Sequence, residues 1–348
     1  MLVGTILVSA WHRLYLGYLH KPAHKEGVLI IGAGRAGTAL LNLLQELGQF
    51  FEVRGFIDDD PEKQDQTISN IPVLGQLNAL DNALKKTWAG HVILAVTHNR
   101  SEELMQALLR VRLSGVQVYE MATVYEDLSR SIPARHIQES WLLFETGFGI
   151  ICRSSVQHAK RVIDGLSAAF LLILTSPLML ATALAVRMDS PGPALYRQTR
   201  VGLNDTPFTL LKFRSMWNNA EENGAVWAEK NDPRVTRVGK FIRMLRIDEL
   251  PQLLNVLNGD MSLIGPRPER PEFVQDLAQQ LPYYYIRHLV RPGITGWAQV
   301  NYPYGATVED ALRKLEYDLY YVKNMSIFLE LNIVLKTIVV VFVGKGAR

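Results

Sequence analysis

The chain has 348 residues, 48% of them hydrophobic, with 37 Lys and Arg against 34 Asp and Glu and a single cysteine, Cys152. That length leaves room for two domains with separate cores, and one cysteine excludes an intrachain disulfide or a cysteine-built metal cluster, consistent with a reducing compartment. The net charge of +3 is uneven, −3 over residues 1–150 and +6 over residues 151–348. A basic second half suits phosphate-bearing substrates and an anionic membrane face, and without a Lys/Arg tract or binding motif a nucleic-acid partner is not expected.

Residues 1–26 open with an apolar stretch, Met1 to Tyr18, interrupted by His12 and Arg13. It has no small-residue cleavage site and reads as a membrane-proximal segment, not a signal peptide. Val28 to Ile31 is an apolar strand running into glycines at Gly32, Gly34 and Gly37. A helical pattern follows (Leu40, Leu41, Leu43, Leu44, Leu47), closed by Gly48. A second strand, Phe51 to Ile57, ends at Asp58, 21 residues after Gly37. This is the dinucleotide fingerprint: the glycines admit a diphosphate to the helix N-terminus, and the acid takes a ribose hydroxyl. Further elements are expected at His91–Thr97 (strand), Ser101–Leu113 (helix) and Gly115–Tyr119 (strand). Residues 27–130 therefore predict a Rossmann-like α/β domain, a small parallel sheet with helices on both faces. Tight strand-to-helix packing asks for the same glycines without any ligand, and Asp58-Asp59-Asp60 before Pro61 also reads as a solvated turn. Nucleotide binding stays open on this evidence, and no Tyr-x-x-x-Lys pair points to hydride transfer.

Residues 131–153, punctuated by Pro133, Gly147 and Gly149, read as an extended hairpin or linker. Residues 154–348 follow as one domain. Its first feature is an uncharged run of 22 residues, Gly165 to Val186, about 33 Å long as a straight helix and enough to cross a bilayer. Ser176-Pro177 falls in its middle, where proline removes a hydrogen bond. Both flanks are basic, Lys160 and Arg161 before and Arg187, Arg197 and Arg200 after, which favours both ends on the cytoplasmic side. A buried core helix and an ordinary spanning helix are the alternatives. Near the C-terminus, Ile327 to Val343 mixes apolar runs with Glu330, Asn332 and Lys336, which suits a helix lying on a membrane surface.

The chemistry concentrates between these segments. Asp248 and Glu249 stand side by side before Leu250 to Leu257, a helix-like run ending at Asn258-Gly259. Pro251 is tolerable only in a first turn, so the helix is expected to start at Asp248 or Glu249. An aspartate there is an N-cap or, with an electrophile held nearby, a nucleophile. Adjacent helical residues point about 100° apart, so the two acids have different jobs. Arg243 precedes the pair by five residues, Arg267 is held between Pro266 and Pro268, and Arg291 precedes Pro292-Gly293. Guanidinium forks on stiff backbone suit phosphate oxygens. Lys212 and Arg214 complete the candidate set.

Four segments in order, Lys212-Phe-Arg-Ser-Met216, Asp248-Glu-Leu-Pro-Gln252, Gly265-Pro-Arg-Pro268 and Arg291-Pro-Gly-Ile-Thr-Gly-Trp-Ala-Gln-Val-Asn301, resemble those of the bacterial sugar transferases. These are monotopic polyprenyl-phosphate hexose-1-phosphate transferases, and the resemblance spans roughly residues 154–348. It implies a mainly α, membrane-associated catalytic domain with a re-entrant membrane helix broken at Ser176-Pro177. It implies further that Asp248 attacks the β-phosphate of a UDP-sugar, forms a phosphosugar-aspartyl intermediate and releases UMP. Polyprenyl (undecaprenyl) phosphate then takes the sugar phosphate, which begins exopolysaccharide or O-antigen-type glycan synthesis. Glu249 is the implied acid/base or positioning partner, and Asp248 the implied ligand of Mg²⁺. Arg243, Arg267, Arg291, Asp318, Lys212 and Arg214 are the implied substrate contacts. Long forms of the family carry N-terminal membrane helices and a Rossmann-like domain, so residues 1–26 read as the remnant of such a helix. A homodimer and the bacterial inner membrane, with the catalytic domain facing the cytoplasm, are expected on the same ground. Many members have Asn-Gly-Arg where this chain has Asn301-Tyr-Pro-Tyr-Gly305; that removes one phosphate or sugar contact and is similar to an exopolysaccharide branch. Two rival classes remain: a dinucleotide-dependent sugar-nucleotide modifying enzyme built on Gly32–Gly37, which does not need Asp248, and a non-catalytic nucleotide-sensing membrane scaffold.

Overall fold

The computed structural model describes residues 25–47, 51–97, 100–150, 154–218, 220, 232–303, 305 and 307–343. The expectations for residues 1–24, Gly48 and Cys152 lie outside them. The chain divides into two compact units, Met1–Gln138 and Glu139–Arg348.

In the first unit, strands β1 (Glu26–Ile31), β2 (Phe51–Ile57), β3 (His91–Leu94) and β4 (Gln117–Glu120) form a parallel sheet in the order β2-β1-β3-β4. Helices α1 (Arg35–Leu47), α2 (Leu80–Thr87), α3 (Glu102–Leu113) and α4 (Met121–Ser129) accompany it. Strand β1 shows why the sheet is covered on both faces. Val28 and Ile30 pack with Leu40, Leu41 and Val124 on one side, while Leu29 and Ile31 pack with Leu84, Leu104 and Leu108 on the other. A run that buries both pleat faces is apolar throughout. The predicted parallel sheet is present; β3 ends three residues earlier than expected, and Ser101 caps α3 by accepting from the Leu104 amide at 3.1 Å. Residues 131–150 are not the expected extended hairpin. They contain a helix, α5 (Glu139–Phe144), and a 3₁₀ turn, Phe148–Ile150. Trp141 of α5 is buried with the Lys323 ammonium 4.6 Å from its ring centroid, a long-range contact that no local pattern announces.

The second unit is mainly helical. Its longest element, α6 (Ser154–Asp189), has 36 residues, about 54 Å at 1.5 Å per residue, and is the one described helix long and apolar enough to cross a membrane. It runs on through Pro177, not as the two half-helices expected. Proline takes away the amide that would bond the Ile173 carbonyl, and the Ser176 hydroxyl donates to that same carbonyl at 2.8 Å. One face of α6 packs inward: Ala168, Leu171 and Leu172 lie against Leu253 and Val256, and Met179, Ala183 and Val186 against Phe213, Ile242 and Ile247. The opposite face, with Phe170, Ile173, Leu174, Leu180 and Leu184, is exposed.

Two polar clamps hold the ends of α6. At the first, Arg161 donates to the carbonyls of Val256 and Leu257, and Asp164 accepts from Ser262 Oγ at 2.7 Å. At the second, Asp189 accepts from the Val238 amide at 3.0 Å, and Arg214 donates to the carbonyls of Ser190 and Pro191, both at 2.7 Å. An antiparallel hairpin follows, β5 (Leu195–Val201) and β6 (Pro207–Phe213). Next come α7 (Arg237–Met244), a 3₁₀ turn (Ile247–Glu249) and α8 (Gln252–Asn258). A two-strand parallel ribbon, β7 (Ser262–Ile264) with β8 (Gly293–Thr295), brackets α9 (Pro271–Gln280) and a 3₁₀ stretch, Tyr284–Leu289. Helices α10 (Trp297–Asn301), α11 (Val308–Lys323) and α12 (Ile327–Val343) close the unit. Helix α12 turns its polar residues inward: Glu330 lies 2.6 Å from Lys160, Lys336 donates to Asn301 at 2.6 Å, and Thr337 meets Thr295 at 2.8 Å. Its Ile327, Phe328, Leu331, Leu335 and Val339 are exposed.

Candidate active site

Asp248 does not begin a helix. Arg246 takes the left-handed conformation (φ 57°), uncommon for a side chain of its size, and turns the chain out of α7 into the short 3₁₀ turn that holds Asp248 and Glu249. Helix α8 starts only at Gln252, with Pro251 at its N-cap and Gly259 (φ 94°) closing it. Ile247 and Leu250 on either side of the acid pair are packed under α6, so the turn is fixed by apolar anchors and not by a cap.

The two carboxylates are 8% and 7% exposed and border a cavity of about 550 Å³. Its walls carry Arg200, Lys212, Arg243, Arg246, Arg267 and Lys314, with Trp217, Phe273 and Tyr302 among the aromatic surfaces. Such a volume holds a small-molecule ligand. Three cations converge on one oxygen, Glu249 Oε1: Arg267 Nη2 at 2.8 Å, Lys212 Nζ at 3.5 Å and Arg246 Nη1 at 3.6 Å. Arg267 also donates to Gln299 Oε1 at 3.2 Å, and Arg243 to Ser215 Oγ at 2.9 Å. Four carboxylates of the described residues border the cavity. Glu249 is paired as described, Glu269 lies 3.6 Å from Arg200, and Asp318 lies 2.9 Å from Arg287. Among the described residues, only the Asp248 carboxylate of these four has neither a hydrogen bond nor an ion-pair contact.

Electrostatics separates the adjacent acids. Burial and the neighbouring Glu249 charge push Asp248 above the usual carboxylate range, against the pull of Lys212, Arg243 and Arg267. Burial works on Glu249 in the same sense, but the charges of Arg267, Lys212 and Arg246 outweigh it and hold that carboxyl well below its ordinary value. Glu249 thus stays ionised, while Asp248 is the more basic oxygen of the pair. Burial lowers Lys212 to about 8, despite the opposing charges of Glu249 and Asp248. If turnover needs ionised Asp248 and cationic Lys212, the pH–rate profile is a bell. Its acid limb reports Asp248 and lies above the ordinary aspartate range, because burial and the Glu249 charge raise that carboxyl. Its alkaline limb falls as pH rises through about 8. A steady-state pH series on the purified protein checks both limbs.

The remaining expected site residues divide. Lys212, Arg243, Arg267 and Asp318 come together with the acid pair around the cavity. Arg214 touches the cavity wall, but its guanidinium is committed to the carbonyls at the end of α6. Arg291 is not brought to the described cavity lining: its Nε donates to the Gly259 carbonyl at 3.0 Å, at the end of α8. Ser176 and Pro177 lie in mid-α6. Arg246, Arg287, Arg200, Lys314 and Gln299 border the cavity without having been anticipated. Arg246 alone offered a local signal, three residues before Glu249.

In the first unit, Gly32, Gly34, Gly37 and Asp58 meet at the ends of β1 and β2. Gly32 has φ 100°, a Cβ on Gly37 would stand 2.0 Å from the Gly32 carbonyl, and the space over Gly34 is open. Packing therefore accounts for Gly37, whereas Gly34 leaves room for a ligand. Asp58 is already engaged, accepting from the Ala33 amide at 2.6 Å and lying 3.1 Å from Lys63 Nζ.

For a divalent cation the described cavity lining offers one unpaired carboxylate, that of Asp248. Among the described residues no three His, Cys, Asp or Glu side chains gather into a metal site, and Glu249 is spent on cations. Asp248 offers one open carboxylate, which suits Mg²⁺ held by one or two carboxylates together with substrate oxygens and water.

Residues 155–344, more than half the chain, match the family described as bacterial sugar transferase, and residues 1–122 match a domain described as CoA-binding. A UDP-N-acetylgalactosamine-undecaprenyl-phosphate N-acetylgalactosaminephosphotransferase of Aeromonas hydrophila is 47% identical over 242 residues, covering 69% of this chain and 56% of that protein. A UDP-glucose:undecaprenyl-phosphate glucose-1-phosphate transferase of Escherichia coli (strain K12) is 43% identical over 190 residues, 54% of this chain and 41% of that protein. One from Klebsiella pneumoniae is 32% identical over 359 residues, 99% of this chain and 74% of that protein. The chain spans about half the length of the first two relatives. The acid pair, the cations around it and nearly all of the long apolar helix packed against their turn fall inside the matched residues, and the chain belongs to the bacterial sugar transferase family.

Proposed function

We propose that the protein transfers a hexose 1-phosphate from a UDP-sugar to polyprenyl (undecaprenyl) phosphate through a covalent phosphosugar ester on Asp248, beginning a lipid-linked glycan of the exopolysaccharide or O-antigen kind. The observation that carries this reading is the uncommitted Asp248 carboxylate in a cavity ringed by cations, in a chain of this family. A carboxylate oxygen of Asp248 attacks the β-phosphorus of the UDP-sugar. The bond from that phosphorus to the bridging oxygen breaks, the electron pair stays on the bridging oxygen, and UMP leaves. An oxygen of the polyprenyl phosphate then attacks the same phosphorus and expels the carboxylate, which restores Asp248 and leaves polyprenyl-diphospho-sugar.

Positioning and charge stabilisation supply most of the rate in phosphoryl chemistry. Arg267, Arg243 and Lys212 are placed to neutralise the charge that accumulates on the phosphoryl oxygens. Glu249 keeps its cations aligned and stays ionised, so it serves as their organiser and not as a proton donor. A divalent cation held by Asp248 would supply neutralisation of the diphosphate. The test is UMP release and lipid-linked sugar formation by purified protein given Mg²⁺, a panel of UDP-sugars and polyprenyl phosphate. Absence of both products from folded protein overturns the reading.

The same proposal places the second unit on the cytoplasmic face of the inner membrane, with both ends of α6 on that side. Both ends of α6 are clamped by charged groups of one domain, Arg161 and Asp164 at one end and Asp189 and Arg214 at the other. A polar domain cannot lie on both sides of a bilayer, because charges at its centre cost several kcal/mol each, about 2.5–3.5 on insertion scales. The exposed apolar faces of α6 and α12 then meet lipid. Cysteines placed at Val156 and Met188 in a Cys152-free background should both react with a membrane-impermeant reagent from the cytoplasmic side only. Labelling of one from each side would show a spanning helix.

A further inference from the structure

The cavity is backed by a buried ion pair. The Arg287 and Asp318 side chains are 6% and 2% exposed, with Arg287 Nη2 2.9 Å from Asp318 Oδ2. Burial pushes the Asp318 carboxyl up to about 6 against the Arg287 charge. The other contacts of the guanidinium are specific. Nη1 donates to the Tyr284 hydroxyl at 2.6 Å, Nη2 donates to the main-chain carbonyl of Arg267 at 2.9 Å, and the group lies over the Tyr284 ring, 5.1 Å from its centroid. Arg267 in turn directs its own guanidinium at Glu249 (2.8 Å) and Gln299 (3.2 Å). Burying an ion pair is costly and is not by itself a source of stability, so a retained pair asks for a role in specifying geometry.

The geometry of the loop supplies one. Pro266 and Pro268 fix φ on both sides of Arg267, which leaves the orientation of its peptide plane to be set by a partner. Arg287 grips that plane through its carbonyl, and Asp318 and Tyr284 immobilise Arg287 in turn. We propose that Arg287, locked by Asp318 and Tyr284, is a positioning residue for the transfer reaction: it acts through the Arg267 carbonyl to aim the Arg267 side chain at the phosphate. Asp318 then contributes by holding Arg287. The inference rests on the transferase reading.

A double-mutant cycle on the full chain tests it, because residues that act through one another give non-additive effects. Arg267→Ala is expected to lower kcat/KM about a hundredfold, and Arg287→Lys, which keeps the charge but loses the fork, about tenfold. The double variant should be no worse than Arg267→Ala alone. Losses that multiply to about a thousandfold, or an Arg287→Lys variant with wild-type kcat/KM, overturn the proposal. Should Arg287→Lys fail to fold, Tyr284→Phe removes a single hydroxyl and keeps the ring. It is expected to cost about threefold alone and nothing on the Arg267→Ala background, and multiplication there overturns the proposal equally. Wild-type protein that transfers no sugar phosphate overturns the transferase reading and this inference with it; transfer with multiplicative losses overturns the inference alone.

Discussion

Asp248→Asn is expected to abolish the covalent sugar-phosphate adduct and to lower turnover by about 10⁴-fold or more, as loss of a nucleophile does. Intact-protein mass spectrometry with a UDP-sugar and Mg²⁺ but no lipid acceptor reads the first effect: wild-type protein gains one hexose phosphate and the variant gains nothing. The fold should survive the change. Asp248 is buried without a hydrogen bond or ion-pair contact among the described residues, and its carboxyl titrates above its ordinary range. Its ionised form is therefore strained by burial, and a neutral isostere relieves that cost. An unchanged or raised melting temperature beside a lost adduct assigns the effect to chemistry. An adduct that persists in Asp248→Asn removes Asp248 as the nucleophile.

Glu249→Gln carries the second large effect, an expected drop in kcat/KM of about a hundredfold or more, with a distinctive pH signature. Glu249 is the shared counter-ion of Lys212, Arg246 and Arg267, so its removal leaves three cations repelling one another around the phosphate site. Its charge also raises the Asp248 carboxyl and raises the Lys212 ammonium. Without it both groups titrate lower, so the acid and alkaline limbs of the pH–rate bell should both move to lower pH. Were Glu249 a general acid or base, one limb would vanish and the other would stay where it is. A pH series on Glu249→Gln separates the two roles.

What was legible in the amino-acid order was whatever neighbouring residues decide. The β1 run, Val28 to Ile31, and the glycines at 32, 34 and 37 announce a buried strand and a tight turn into α1, because apolar alternation and steric clearance are local properties. The uncharged run from Gly165 to Val186 announces a long apolar helix for the same reason, and Asp248-Glu249 beside Arg243 marks the phosphate chemistry. The extended hairpin expected after residue 130 gives way to α5, where Trp141 finds Lys323, a partner far along the chain. The expected break at Pro177 did not divide α6, because the hydroxyl of the preceding serine satisfies the freed carbonyl.

The arginines divide most clearly between the two levels. The sequence by itself determined that several guanidinium groups would serve this domain and that Asp248 and Glu249 would sit together ahead of the Leu250 to Leu257 run; it put the pair at the helix start, where the fold has a separate turn. It did not assign the arginines, since a guanidinium on a long flexible side chain binds whichever carbonyl or carboxylate the fold brings within reach. Only tertiary structure sent Arg291 and Arg161 to the end of α8, Arg214 to the end of α6, and Arg246 and Arg267 to Glu249. The split titration of the acid pair is likewise tertiary: Glu249 is held ionised by cations from β6 and the Pro-Arg-Pro loop, while Asp248, one residue away, meets burial with no hydrogen bond or ion-pair contact among the described residues.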